Sequence, residues 1–167
     1  MENGKQKILI TGASSGLGRE LAHQYAQKGN VELILVARRK EALEKTAKKC
    51  EGFENVKTRV YSVDIGSQDQ VEQLLSAVDD VDILVNGAGY GIMKDFSEFC
   101  DADVVNMFDT NVIGTIQLTT EIAKRMREKK SGTIVTIASL AGKIATPKSS
   151  VYSATKFALI GYFNALR

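Results

Sequence analysis

Tryptophan is absent from the 167-residue chain, and histidine and proline occur once each, as His23 and Pro147. One histidine and two cysteines, Cys50 and Cys100, with no Cys-x-x-Cys spacing, leave no cluster from which a metal site could be built, so no metal is expected. With one histidine in the whole chain, a serine hydrolase also has no base to work with. His23 reads as a helix-surface residue, and the cysteines as reduced thiols of a cytoplasmic protein.

Charge of one sign is scarce too. A formal net charge of +2, with basic residues only in short runs such as those at Arg38-Arg39 and Lys129-Lys130, gives no basis for a nucleic-acid partner. Long hydrophobic runs are missing. The N-terminal residues are polar, and the first apolar run, Ile8-Leu9-Ile10, ends at Thr11-Gly12, too short for a signal-peptide core or a membrane span. A cytoplasmic protein with no membrane partner is expected.

What the chain does have is alternation. Short apolar runs at Ile8–Ile10, Val31–Val36, Val60–Val63, Val81–Val85 and Thr133–Ile137 suit strands buried on both faces, as in parallel sheets. Between them, Leu17, Leu21 and Tyr25 recur at helical spacing before Gly29-Asn30, and Val71, Leu74, Leu75 and Val78 do so after Ser67. Residues 101–129 keep helical spacing as one long helix, and Ser149 or Ser150 would cap another running to the C-terminus. The expectation is an α/β fold with right-handed crossovers, in a single domain over 1–167. The chain stops at Arg167 within a helical pattern, with no glycine or cap, as a chain cut short would.

Three glycines, Gly12, Gly16 and Gly18, fall between the first strand and the first helix. Such a turn needs bare backbone, and the helix start after it offers free N–H groups and a positive dipole end to a pyrophosphate. The spacing is not Gly-x-Gly-x-x-Gly, and the absence of Gly-Lys-Ser/Thr argues against a nucleoside triphosphate. A dinucleotide is the better ligand; a plain structural turn is the alternative. About twenty residues on, where NAD sites present a carboxylate to the ribose 2′-hydroxyl, the chain has Ala37, Arg38 and Arg39. Two guanidinium groups and no acid fit the 2′-phosphate of NADP(H) in preference to NAD(H). Alternatively they only cover the start of the next helix.

These residues, with four further features in order, resemble the classical short-chain dehydrogenase/reductase family. The pattern is Thr11-Gly12-x-x-x-Gly16-x-Gly18, then Asp64, then Asn86-Gly87-Ala88-Gly89, then Ser139, and finally Tyr152-x-x-x-Lys156. The resemblance implies a Rossmann-type doubly wound parallel sheet, cut off after the helix carrying Tyr-x-x-x-Lys, because family members continue with further strands and a substrate lid. It implies an NAD(P)-dependent oxidoreductase with a tetrad mapping onto Asn111, Ser139, Tyr152 and Lys156. The cofactor set it implies is Gly12, Ser14, Ser15, Gly16, Leu17, Gly18, Arg38, Arg39, Asp64, Ile65, Asn86, Ala88 and Gly89, together with Tyr152 and Lys156. Asp64 would hydrogen-bond the adenine, or else cap a turn before Gly66-Ser67. Gly87 replaces the second asparagine common in the family.

The chemistry follows from the side chains. Hydride delivery to a ketone builds negative charge on its oxygen, which calls for a proton source and hydrogen-bond donors. Tyr152 is the candidate acid, or base in the oxidative direction. Lys156, one helical turn on, puts an ammonium where it favours a phenolate. Ser139 can donate to the substrate oxygen. The resemblance adds that Lys156 bonds the nicotinamide ribose and that Asn111 holds a water linking the lysine to solvent. Asparagine in mid-helix otherwise suits its place poorly. A small-molecule carbonyl or alcohol substrate is expected; residues 91–93, Leu140 and residues 144–149 suggest an apolar mouth for it, with loop packing alone as the alternative. A homodimer or homotetramer is expected of the full-length form. Two alternatives remain at this point: a truncated dinucleotide-binding module without turnover, and a sugar-nucleotide epimerase or dehydratase of the extended fold, whose glycine spacing would be tighter.

Overall fold

A computed structural model describes residues 4–166. Five strands, β1 (Gln6–Thr11), β2 (Val31–Ala37), β3 (Val56–Ser62), β4 (Ile83–Asn86) and β5 (Thr133–Thr136), form one sheet in the order β3-β2-β1-β4-β5. Every pairing is parallel, with Ile8 opposite both Leu33 and Ile83. The helices are α1 (Gly16–Lys28), α2 (Lys40–Cys50), α3 (Gln68–Ala77), α4 (Asp101–Phe108), α5 (Gly114–Glu128) and α6 (Ser150–Ala165).

Alternate side chains along the strands go to opposite faces, which splits the core in two. On one face Ile8, Ile10, Leu33 and Leu35 pack with Ala22 and Ala26 of α1 and Leu43 and Ala47 of α2. On the other, Leu9, Ile34, Val36 and Leu84 pack with Val71 and Leu74 of α3 and Leu118, Ile122 and Met126 of α5. Both faces are covered by helices, so the central strands carry continuous apolar sequence, and the fold is a Rossmann-type doubly wound sheet. The chain steps outward from β1 through β2 to β3, then returns to the other side at β4. That reversal opens a crevice at the C-terminal ends of β1 and β4, where such sheets bind ligands.

Two expectations are corrected. β3 begins at Val56, four residues before the apolar run. It is an outer strand, so it can carry Lys57 and Arg59, the latter ion-paired with Glu32 on β2 at 2.9 Å. The helix expected over residues 101–129 is not uniform: α4 and α5 are joined by a π turn, Asp109–Ile113, in which the Gly114 N–H donates to the Asp109 carbonyl. The extra residue lets Gly114 press against Ile65, where a Cβ would fall 1.8 Å from the Ile65 carbonyl oxygen. A π turn of this kind marks a place where local helix geometry yields to a tertiary demand.

Among the described residues, β5 has β4 as its only strand neighbour, and Val135 on it is half-exposed. No helix among them is long and apolar enough to cross a membrane.

Candidate active site

The glycine-rich turn closes tightly because it has no side chains in the way. Gly12 has φ of 71°, and a Cβ on it would lie 2.6 Å from the Gly87 carbonyl oxygen; a Cβ on Gly18 would lie 2.5 Å from that of Gly12. The Thr11 hydroxyl at the end of β1 accepts from the Gly87 and Ala88 N–H groups at 3.0 and 3.1 Å, stitching the turn after β1 to the one after β4. Thr11 was not among the expected site residues, though its place at a strand end beside glycine was a signal.

A cleft of about 420 Å³ opens over this junction. Of the expected residues, Gly12, Ser14, Ser15, Gly16, Leu17, Gly18, Arg38, Arg39, Asp64, Ile65, Ala88, Gly89, Tyr152 and Lys156 line it together. Ala37, Val63, Gly87, Tyr90, Thr110, Ile137 and Ala138 also line it; Ala37 and Gly87 stand within the motifs read from the sequence, and the other five were not foreseen. Helix α1 points its N-terminus into the cleft with no side-chain cap from Ser15 and no acid in its first turn, which leaves its N–H groups open to an anion. The residues present therefore fit a dinucleotide's pyrophosphate.

Arg39 reaches back to the turn, donating to the Ser14 and Ser15 hydroxyls at 3.3 and 2.9 Å. Its guanidinium thus stands at the cleft wall instead of merely covering α2. Asp64 does two things at once: it lines the cleft, and its Oδ1 accepts from the Gly66 N–H at 3.0 Å in a tight turn.

Three expected residues do not line the cleft. Asn86 is buried below it, its amide donating to the Thr119 and Thr136 hydroxyls at 2.9 and 3.3 Å. Ser139, beyond Ala138, starts a 3₁₀ turn, Leu140–Gly142, and its hydroxyl accepts from the Ala141 N–H at 3.2 Å. Asn111 sits in the π turn, wholly buried behind the wall. Its amide donates to the Tyr90 carbonyl at 2.8 Å and to the Thr155 hydroxyl at 3.1 Å, and its Oδ1 accepts from the Tyr90 N–H at 3.0 Å.

The start of α6 is held by the Ser149 hydroxyl, which donates to the Thr146 carbonyl at 2.7 Å and meets that of Ser153 at 3.0 Å. From there Tyr152 and Lys156 share one face of α6. The Lys156 ammonium is 5.6 Å from the centre of the Tyr152 ring and donates to the Ile137 carbonyl at 3.2 Å. Lys156 is only 5% exposed, and desolvation lowers its pKa. A cation near a phenol, beside a glycine-walled cleft, can hold and move a proton at the phenolic oxygen.

The sequence profile of the short chain dehydrogenases matches residues 6–167. The chain is 38% identical over 168 residues to human dehydrogenase/reductase SDR family member 7, covering 96% of this chain and 49% of that protein. With the NADP-dependent 3-hydroxy acid dehydrogenase of Schizosaccharomyces pombe the identity is 35%, over 96% of this chain and 64% of the relative. The chain thus spans half to two thirds of the length of these relatives. Among solved structures, an actinorhodin polyketide ketoreductase with NADPH superposes with a TM-score of 0.88 at 32% identity, over 98% of this chain and 64% of that one. An NAD⁺-bound xylitol dehydrogenase superposes with a TM-score of 0.86 at 26% identity, over 97% and 64%. Sheet order, glycine turn, Tyr-x-x-x-Lys geometry and these matches agree: the chain belongs to the short-chain dehydrogenase family.

Proposed function

We propose that residues 1–167 are the dinucleotide-binding and proton-transfer part of an NADP(H)-dependent oxidoreductase that interconverts a carbonyl and a secondary alcohol. The observation that carries this is the single cleft joining the uncapped N-terminus of α1, the Arg39 guanidinium and the Tyr152–Lys156 pair. When bound, the dinucleotide supplies or accepts the hydride. The remaining work belongs to the chain. The N–H groups at the start of α1 hold the pyrophosphate. Arg39, tethered by Ser14 and Ser15, and Arg38 beside it grip a 2′-phosphate through charge-assisted bonds. Tyr152 gives a proton to the substrate oxygen or takes it back, with the Lys156 ammonium stabilising the anionic side of that exchange.

Preference for NADP(H) rests on the arginines, since the ketoreductase and xylitol dehydrogenase structures carry different dinucleotides on the same fold. An apolar group beside the substrate carbonyl is favoured by Met93, Leu140 and Ile144, which stand exposed on the loops after β4 and β5. Those two loops are tied together by the bond from the Lys94 N–H to the Lys148 carbonyl. We place the protein in the cytoplasm. A homodimer or homotetramer would cover Val105, Ile113 and Phe157, large apolar residues exposed on α4, the π turn and α6.

Parallel calorimetric titrations with NADPH and NADH test the reading. NADPH is expected to bind more tightly. Replacing Arg38 and Arg39 together by glutamine should weaken NADPH by about tenfold or more and leave NADH almost unchanged. An equal loss for both cofactors would overturn the selector role. Absence of binding by either would overturn the dinucleotide site in the 167-residue chain.

A further inference from the structure

The Thr155 hydroxyl is wholly buried and has both its donor and an acceptor site engaged. It donates to the Tyr152 carbonyl at 2.7 Å, a bond within α6 that threonines in helices commonly make. The second bond is not local: the hydroxyl accepts from the Asn111 amide at 3.1 Å, across 44 residues and from another helix. Asn111 in turn holds Tyr90 at both its N–H and its carbonyl. Tyr90 leads into Gly91, which lies against the ring of Tyr152 so closely that a Cβ would fall 2.9 Å from Cδ2. The contacts close on themselves, from the Tyr152 backbone through Thr155, Asn111 and Tyr90-Gly91 to the Tyr152 ring.

We infer that Thr155 is a positioning residue: its hydroxyl fixes the Asn111 carboxamide, and through it the Tyr90-Gly91 wall that sets where the Tyr152 ring stands. The functional meaning rests on Tyr152 being the proton-transfer residue. The geometric claim does not. Asn111 has only two amide hydrogens, and both are spent in this circuit, so removing the Thr155 acceptor leaves a buried N–H without a partner. The carboxamide must then turn or shift, and the wall moves with it. Valine at 155 keeps the shape and deletes the hydroxyl; serine keeps the hydroxyl and deletes the methyl.

The test uses the chain labelled with 3-fluorotyrosine, whose five tyrosine lines are read by fluorine NMR, with Tyr152→Phe assigning the Tyr152 line. Thr155→Val should shift or broaden that line while the Tyr25 and Tyr61 lines stay, and Thr155→Ser should leave all of them in place. A loss of global stability alone would lower the melting temperature without moving the Tyr152 line. An unmoved line in Thr155→Val overturns the inference. If that variant does not fold, Gly91→Ala at an exposed position reads the same contact from its other end, and an unmoved line there overturns it equally. Saturating NADPH should also move the Tyr152 line of the wild type. If it does not, the cofactor reading fails while the positioning claim is still judged by Thr155→Val. With a ketone that is turned over, Thr155→Val should lower kcat by about tenfold at nearly unchanged KM for NADPH, and Thr155→Ser should restore it.

Discussion

Gly114 and Ile65 meet at a distance that admits no side chain: a Cβ at 114 would lie 1.8 Å from the Ile65 carbonyl oxygen and 2.7 Å from its Cγ2. The contact joins the first residue of α5, where the π turn ends, to the loop after β3, and Ile65 lines the cleft. Backbone against backbone cannot yield as a flexible side chain does. Gly114→Ala, an innocuous change in an ordinary helix, should therefore destabilise the chain by about 3 kcal/mol through overpacking. Urea denaturation measures this, and a variant as stable as wild type would mean the helix can slide away from the loop at no cost.

Tyr152→Phe removes the phenolic oxygen and little else. The Tyr152 ring stays against Gly91, and Lys156 keeps its bond to the Ile137 carbonyl. Carbonyl reduction should fall by about a thousandfold or more while NADPH affinity changes little. Turnover retained in the phenylalanine variant would assign the proton to another group.

The legible parts of the fold were those where one face or both decided the residue type. β1 and β2, covered by helices on both sides, read directly as Ile8–Ile10 and Val31–Val36. The outer strand β3 concealed its first half because Lys57 and Arg59 could face solvent or Glu32. The π turn was invisible, since its apolar spacing is that of a helix and the widening is imposed by Ile65 and Tyr90 from elsewhere in the chain. Asn111 was flagged as ill-suited to a helix, and its buried bonds to Tyr90 and Thr155 supply the reason. Motif spacing could not tell residues that face the cleft from those that support it, so Asn86, bonded beneath the cleft to Thr119 and Thr136, was grouped with the lining residues. Tyr90 and Thr155 were missed because their importance comes from partners 21 and 44 residues away from them.

Asp82, just before β4, ties β1 to the end of α5. Its Oδ2 accepts from the Lys7 N–H of β1 at 2.8 Å, and its Oδ1 accepts from the Lys129 ammonium after α5 at 2.9 Å. Burial works against the carboxylate, but these two donors outweigh it and hold the carboxyl below the ordinary aspartate value. A depressed folded-state pKa gives stability that is present above the unfolded value and lost as the pH falls through the folded one. The melting-temperature gap between wild type and Asp82→Asn should thus be constant near neutrality and close in acid, below the ordinary aspartate range. A gap that persists there would assign the effect to packing instead of charge.

Lys156 carries the opposite sign. Its ammonium is buried at 5% exposure, and desolvation lowers its pKa, so the folded state binds this proton less tightly than the unfolded chain does. The cost is fully present below the folded-state pKa and is relieved as the pH rises through it toward the ordinary lysine value. Lys156→Met keeps most of the side-chain volume and removes the charge, and its loss is one bond to the Ile137 carbonyl. The variant should be more stable than wild type by about 1 kcal/mol at neutral pH, with the advantage shrinking in alkali, while proton transfer at Tyr152 is lost. Thermal melts across the pH range decide it. A methionine variant that is less stable at neutral pH would mean that the ammonium's bond to Ile137 and its approach to the Tyr152 ring outweigh desolvation, making Lys156 a structural cation as well as a functional one.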